Sequence, residues 1–191
     1  MMRRWFVVSL AVLTTGCGYN SIQTLDERAQ AFQGQIEVQM QRRADLIPNL
    51  VQTVKGYAQH EEQVLTNVTA ARSGLLGAIQ SKDPEQMATA NAQVTGALSR
   101  LFAVVEAYPR LQADKSFLAL QDELVGTENR VAVARGDYNG AVNEYNAYIR
   151  KFPAVLTAKV TGARARKYFN AATGAAEVPK VDFSKPAAKT P

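Results

Sequence analysis

The chain has 191 residues, of which 47% are hydrophobic and 8% aromatic, and its formal net charge at pH 7 is +5. This length is enough for one domain with a substantial core, while the scarcity of clustered β-branched and aromatic runs disfavours a sheet. The single cysteine and single histidine exclude an internal disulfide and leave no ligand set for a Cys- or His-based zinc site. The basic excess falls to about +3 without the leader arginines and forms no aromatic-interleaved stripe, so we expect no nucleic-acid partner.

The first 16 residues have the pattern of a secretory leader. Arg3 and Arg4 precede a short apolar run over residues 5–13, and the small residue Gly16 stands directly before Cys17. Such a run is too short to span the hydrocarbon core comfortably. We therefore predict a signal peptide over residues 1–16 and lipidation of Cys17, with an uncleaved N-terminal anchor as the alternative.

From residue 19 onward, the apolar residues recur at the spacing of one helix face. The pattern predicts a long amphipathic helix that begins at the membrane and continues as far as Ala78. An interior proline removes one backbone hydrogen bond and clashes with the preceding turn, so we expect a kink or a tight break at Pro48. The predicted buried stripe comprises Ile22, Ala29, Ile36, Leu50, Tyr57, Val64 and Ala71, and Arg43 falls on it.

Two further helices carry clear start signals. Asp83 is placed as the N-cap of the second, with Pro84 at its first position and Gln86 where a capping box needs it. Asp114 or Ser116 is expected to cap the third. A heptad repeat predicts that this third helix continues to Phe152, before Pro153 ends it: Phe117, Leu124, Val131, Tyr138, Tyr145 and Phe152.

Beyond Pro153, residues 154–160 form a short amphipathic segment that Gly162 is expected to stop. A basic-aromatic segment and an extended or disordered tail follow over residues 163–191. We therefore predict an all-α fold, an up-and-down antiparallel bundle of about four helices over residues 17–162, with its long first helix kinked near Pro48.

The same residues carry a family resemblance. The run over residues 42–51 reads R-R-A-D-L-I-P-N-L-V, and Tyr-Asn pairs begin at Tyr138 and Tyr145. These motifs resemble those of the LemA family, and the resemblance extends from about residue 19 to residue 183. It implies a helical bundle and an N-terminal membrane tether, but no specific chemistry.

Arg43 is the most informative candidate site residue. A buried guanidinium must be paired or it carries a large penalty. Glu128 and Arg135 interrupt the apolar stripe of the third predicted helix in the same way. We expect a buried ion pair between Arg43 and Glu128 that fixes helix register. The alternatives are a polar recess for a ligand or partner, and an Arg43 that reaches solvent.

The chain shows no glycine-rich phosphate loop, and His60 lacks the second histidine of a zinc-protease helix. We therefore expect no enzyme, no metal and no cofactor. The leading function is a LemA-type lipoprotein, anchored to a bacterial membrane at Cys17 and facing the periplasm or the cell exterior. It would act as a scaffold for an unidentified envelope protein. Alternatives are lipid binding or membrane remodelling through the basic-aromatic segment and, as the weakest, hydrolysis of an envelope polymer.

Overall fold

The prediction of an all-α fold is confirmed. The computed structural model describes residues 2–58 and 60–170, with side chains from residue 18 onward, and these residues form helices with no strand. The side chain of Cys17, the predicted lipidation site, and the tail from residue 171 lie outside what is described. The helices are α1 (Met2–Lys55), α2 (Glu62–Ser81), α3 (Pro84–Val105), α4 (Pro109–Gln112), α5 (Lys115–Tyr148) and α6 (Ala154–Thr161).

The two longest helices, α1 and α5, pack against each other in opposite directions. Arg28 pairs with Glu144 near the start of the described side chains of α1, whereas Tyr57, just beyond its end, donates a hydrogen bond to Asp114. Helix α2 folds back along α1, and α3 packs on α2. Four helices thus alternate in direction around one apolar core, as predicted.

The predicted caps at Asp83 and Asp114 are confirmed. The Asp83 carboxylate accepts hydrogen bonds from the backbone N–H groups of Glu85 and Gln86, at 2.9 and 3.4 Å. The prediction that Gln86 completes a capping box is wrong, because the backbone N–H of Asp83 donates instead to the hydroxyl of Ser81 at 3.2 Å. Asp114 accepts from the backbone N–H of the third residue in α5 at 2.9 Å.

The predicted continuation of the first helix to Ala78 is wrong. Helix α1 ends at Lys55 and the chain turns back before α2 begins at Glu62. Tyr57, expected on the buried stripe, lies in this turn with 44% of its surface exposed. The apolar phase resumes in α2 after the turn, so periodicity alone does not distinguish one helix from two.

Two further boundaries differ from the expectations. Helix α1 continues through Pro48, so the alternative of a break there is wrong. Helix α5 ends at Tyr148 rather than Phe152, which is 82% exposed. The proline that follows Phe152 disfavours a helical conformation at Phe152 itself, because the residue before a proline avoids that conformation.

The bundle has two halves. In the distal half, α2 and α3 cover the α1–α5 pair. In the proximal half, near Gly18, the pair is covered by α6 and by residues 163–170, here called the C-terminal strap. Helix α6 lies so close to α1 that a Cβ on Gly18 would be only 3.2 Å from the hydroxyl of Thr157.

Candidate functional site

Four polar side chains from three helices meet inside the distal half. Arg43 on α1 is only 3% exposed and forms an ion pair with Glu128 on α5. Its Nη1 also donates to Asn91 Oδ1 at 2.7 Å and to Thr95 Oγ1 at 3.1 Å, both on α3. Burial lowers the pKa of Arg43, and the carboxylate of Glu128 partly offsets this. The cluster therefore ties α1, α3 and α5 at one level of the bundle.

The geometry of this cluster favours a structural role. Arg43 does not reach solvent, so the alternative of an exposed guanidinium is wrong, and its Nε is buried without a hydrogen-bond partner. The side chain of Glu128 is 37% exposed, so the pair is buried on one side only. Sequence reasoning missed Asn91 and Thr95; the signal available for Asn91 was an amide on the otherwise apolar face of α3.

A second tie depends on Pro48. Because proline has no N–H, the carbonyl of Ala44 lacks its helical partner at position 48. The Nε of Arg72 on α2 donates to this carbonyl at 2.7 Å. Ala44 is fully buried, so its carbonyl would be costly to leave unpaired. Pro48 thus leaves the Ala44 carbonyl on α1 available to accept a hydrogen bond from α2. The helical pattern alone did not predict this role.

The C-terminal strap is held by asparagines on α5. The amide of Asn146 accepts from the backbone N–H of Arg166 at 2.8 Å and donates to its carbonyl at 3.0 Å. Asn139 does the same for Phe169, at 2.8 and 3.1 Å. Between these two clamps, the hydroxyl of Tyr138 donates to the carbonyl of Lys167 at 2.8 Å.

The spacing of the clamps has a simple geometric cause. Seven residues of α-helix rise about 10.5 Å, and three residues of extended chain advance about 10 Å. Side chains seven apart on α5, Asn139 and Asn146, therefore meet strap residues three apart. Tyr138 and Tyr145, two members of the predicted heptad, are buried. The asparagines' binding of the strap was not predicted.

Charged and aromatic side chains of the strap also contact the rest of the bundle. The Arg166 guanidinium binds both carboxylate oxygens of Asp26, at 2.7 and 2.9 Å, and this bonding raises the pKa of Arg166. Lys167 contacts Asp83 at 2.9 Å and Glu85 at 3.1 Å. Phe169 is 3% exposed in the main core. These three residues of the predicted basic-aromatic segment are thus bound to the bundle.

An open groove runs between α1 and α5, and none of its lining residues comes from α2, α3 or α6. Its volume is about 700 Å³. Its lining includes two strongly exposed valines, Val38 at 63% and Val133 at 67%. We call it the outer groove, and its lining comprises Ala31, Gly34, Gln35, Val38, Gln39, Asn129, Arg130, Val133, Ala134 and Asp137. A lining that mixes exposed apolar side chains with amide and charged groups suits a protein helix.

Two acidic residues of α5 are paired with arginines. Glu123 pairs with Arg42 and Arg130, at 2.7 and 2.9 Å, and Glu128 pairs with Arg43. Within the part of the chain that the structure describes, no three His, Cys, Asp or Glu side chains are grouped to hold a metal ion. The same residues contain no helix with the length and apolar character needed to cross a bilayer.

The amino-acid sequence is similar to those of known proteins. The LemA family model matches residues 32–183. Magnetosome protein MamQ 2 of Paramagnetospirillum magneticum is 31% identical over 174 residues, which cover 79% of this chain and 64% of the relative. MamQ of Magnetospirillum gryphiswaldense is 29% identical, covering 80% of this chain and 64% of the relative. Protein LemA of Metamycoplasma hominis is 23% identical, covering 79% and 71%. The chain belongs to the LemA family.

Proposed function

We propose that the protein is a membrane-anchored scaffold of the bacterial envelope that presents its outer groove to a helix of a partner protein. The observation that carries this proposal is the outer groove itself, with Val38 and Val133 exposed in its lining. A groove between two helices with exposed apolar side chains can accept the apolar face of an amphipathic helix. The leader pattern and Cys17 support a lipid anchor, with the bundle facing the periplasm or the cell exterior.

The groove suits a scaffold because its two walls are helices that already pack against each other in the free protein. An ion pair between Arg28 and Glu144 joins α1 and α5 beyond one end of the groove. A second ion pair, between Arg42 and Glu123, joins them beyond the other end. Arg130 in the groove wall donates to Gln39 across it at 3.1 Å. A preformed surface binds with little loss of conformational entropy. The partner helix therefore meets a rigid surface rather than one that must first be ordered.

The structure gives less support to the rival functions. The carboxylates of Glu123 and Glu128 are occupied by arginines, which leaves them unsuited to hydrolysis of a polymer. In the basic-aromatic segment, Arg166 and Lys167 are paired with acids of the bundle. Lipid binding through these two residues would require their release, so the scaffold is the better-supported proposal.

The groove is tested by photocrosslinking in intact cells. A photoreactive amino acid replaces Val38 or Val133 in separate full-length variants, and an exposed α3 position, Arg100, serves as the matched control. We expect a shared protein adduct at both groove positions that is missing at the control. The same adducts at all three positions, or none in the groove, would contradict the scaffold proposal.

The anchor is tested separately with Cys17→Ser. If Cys17 carries the lipid, this variant loses the mass of the acyl groups. It also leaves the membrane fraction or accumulates as an unprocessed precursor. Unchanged mass together with firm membrane retention would show that the N-terminal segment is an uncleaved anchor.

A further inference from the structure

The turn between α5 and α6, together with α6 itself, exposes large apolar side chains at the proximal end of the bundle. Phe152 is 82% exposed, Leu156 is 55% exposed and Val160 is 88% exposed. Leu156 and Val160 are four residues apart on α6 and therefore lie on the same face, one turn from each other. The opposite face of α6 is occupied by Ala154 and Ala158, which are buried. These three exposed side chains are here called the corner patch.

The segment that carries the corner patch has basic but no acidic residues. Residues 145–170 contain no Asp or Glu. Of their basic residues, Arg166 and Lys167 are paired with acids of the bundle. The remaining four are exposed, and the structure shows no ion pair for them within the described residues: Arg150, Lys151, Lys159 and Arg164. The exposed apolar side chains thus share their segment with four exposed cations.

The patch lies where the N-terminal segment enters the bundle. Helix α6 packs against the first described side chains of α1, with Gly18 beside Thr157 and Ile22 in one apolar cluster with Ala158. The apolar run of residues 5–13 immediately precedes this part of the chain. Whichever way the N-terminal segment is tethered to a bilayer, α6 is the helix held closest to that tether.

We propose that the corner patch binds the surface of an anionic phospholipid bilayer. Phe152, Leu156 and Val160 insert among the headgroups, where an amphipathic helix buries its apolar face. Arg150, Lys151 and Lys159 bind the phosphates, and their long stems lie along the apolar boundary. An exposed apolar helix face whose own segment carries only basic charges suits a negatively charged plane better than a protein groove. This contact goes beyond a scaffold role, because it sets the orientation of the whole bundle.

The test uses the full-length chain with a single reporter tryptophan. Trp5 is the only tryptophan, so Trp5→Phe with Phe152→Trp leaves one indole, at the corner. Vesicles contain either phosphatidylcholine alone or phosphatidylcholine with phosphatidylglycerol. With phosphatidylglycerol, we expect a blue-shifted emission that lipids brominated near the headgroup quench. With phosphatidylcholine alone, the emission should stay as in water.

The matched control carries Leu118→Trp in the same Trp5→Phe background. Leu118 is 44% exposed near the far end of α5, about 45 Å from Tyr148 along the helix. Its emission should not change with either vesicle. A corner tryptophan that behaves like this control, or that shifts equally without anionic lipid, would overturn the proposal.

A charge variant tests the electrostatic part. Arg150→Gln, Lys151→Gln and Lys159→Gln are combined with the corner tryptophan. Each cation near an anionic surface contributes about fivefold in affinity, so a higher phosphatidylglycerol fraction should be needed for the same shift. No change in that fraction would also overturn the proposal. Because these vesicles contain no partner protein, failure here leaves the groove crosslinking result unaffected.

Discussion

The two halves of the bundle close the same α1–α5 pair by different means. In the distal half the cover consists of two helices, α2 and α3, whose backbone groups are already paired within them. In the proximal half the cover includes, besides α6, the C-terminal strap, an extended segment whose backbone has no such partners. Asn139 and Asn146 supply them by bonding both the N–H and the carbonyl of a strap residue. A polar residue on a buried helix face therefore pairs with side chains where it faces another helix, and with backbone groups where it faces an extended segment.

This difference predicts two kinds of failure. Loss of the Arg43 cluster removes a tie within the main core, so the free energy of global unfolding should change. Loss of an asparagine clamp frees a peripheral segment, so local opening should come first. The variants below separate these responses, in order of decreasing effect.

The largest effect is expected from Glu128→Leu. It leaves the guanidinium of Arg43, 3% exposed, without a carboxylate, which typically costs about 3–5 kcal/mol. Arg43→Met should cost less, because the remaining Glu128 side chain is 37% exposed and can be hydrated. Urea denaturation measures both free energies of unfolding.

The double variant Arg43→Met with Glu128→Leu completes the cycle. We expect it to be more stable than Glu128→Leu alone, since neither charge is then buried unpaired. Additive costs in the double variant would show that the pair does not act as a unit. Equal costs of the two single variants would contradict the asymmetry expected from the exposure of Glu128.

The strap clamps come next. Asn139→Leu keeps the approximate size of the side chain but leaves the N–H and carbonyl of Phe169 without partners, at a cost of about 1–3 kcal/mol. Amide hydrogen exchange should accelerate in residues 163–170 while α2 and α3 stay protected. Arg164→Gln, at an exposed strap position, is the control and should leave exchange unchanged. Faster exchange throughout the bundle would contradict a local role.

A smaller effect is expected at the tie between α1 and α2. Arg72→Met leaves the carbonyl of Ala44 unpaired and should cost about 1–2 kcal/mol. Pro48→Ala provides the missing N–H, so the same Arg72→Met change should then cost much less. The non-additivity, measured by urea denaturation, tests whether Pro48 creates the acceptor. Equal costs of Arg72→Met in both backgrounds would contradict it.

These contrasts also show how far the sequence determined the structure. The caps at Asp83 and Asp114 were predictable because each depends only on neighbouring residues. The turn after Lys55 was not, since the apolar phase continues across it. The partners of Ala44 and Asn139 come from residues 28 and 30 positions away, Arg72 and Phe169. Such contacts depend on how helices pack, which a single periodic pattern does not specify.

The smallest effect concerns the ion pair between strap and bundle. The hydrogen bond from Lys167 is the main cause that lowers the pKa of Asp83 below its ordinary value of 3.8. A lowered carboxyl pKa adds stability that is present above that ordinary value and is lost as the pH falls through the folded-state pKa. Lys167→Met should therefore raise the pKa of Asp83 toward 3.8, although the backbone bonds from Glu85 and Gln86 keep part of the shift.

Carboxyl NMR titration of Asp83 in the two proteins measures this shift directly. The variant should bind the strap more weakly near neutral pH, and the difference should disappear once Asp83 is protonated in both proteins. High salt should also reduce the difference, since the lysine is solvent-exposed. Identical titration curves would show that the contact contributes nothing in solution. The asparagine clamps and the burial of Phe169 would then hold the strap without help from Lys167.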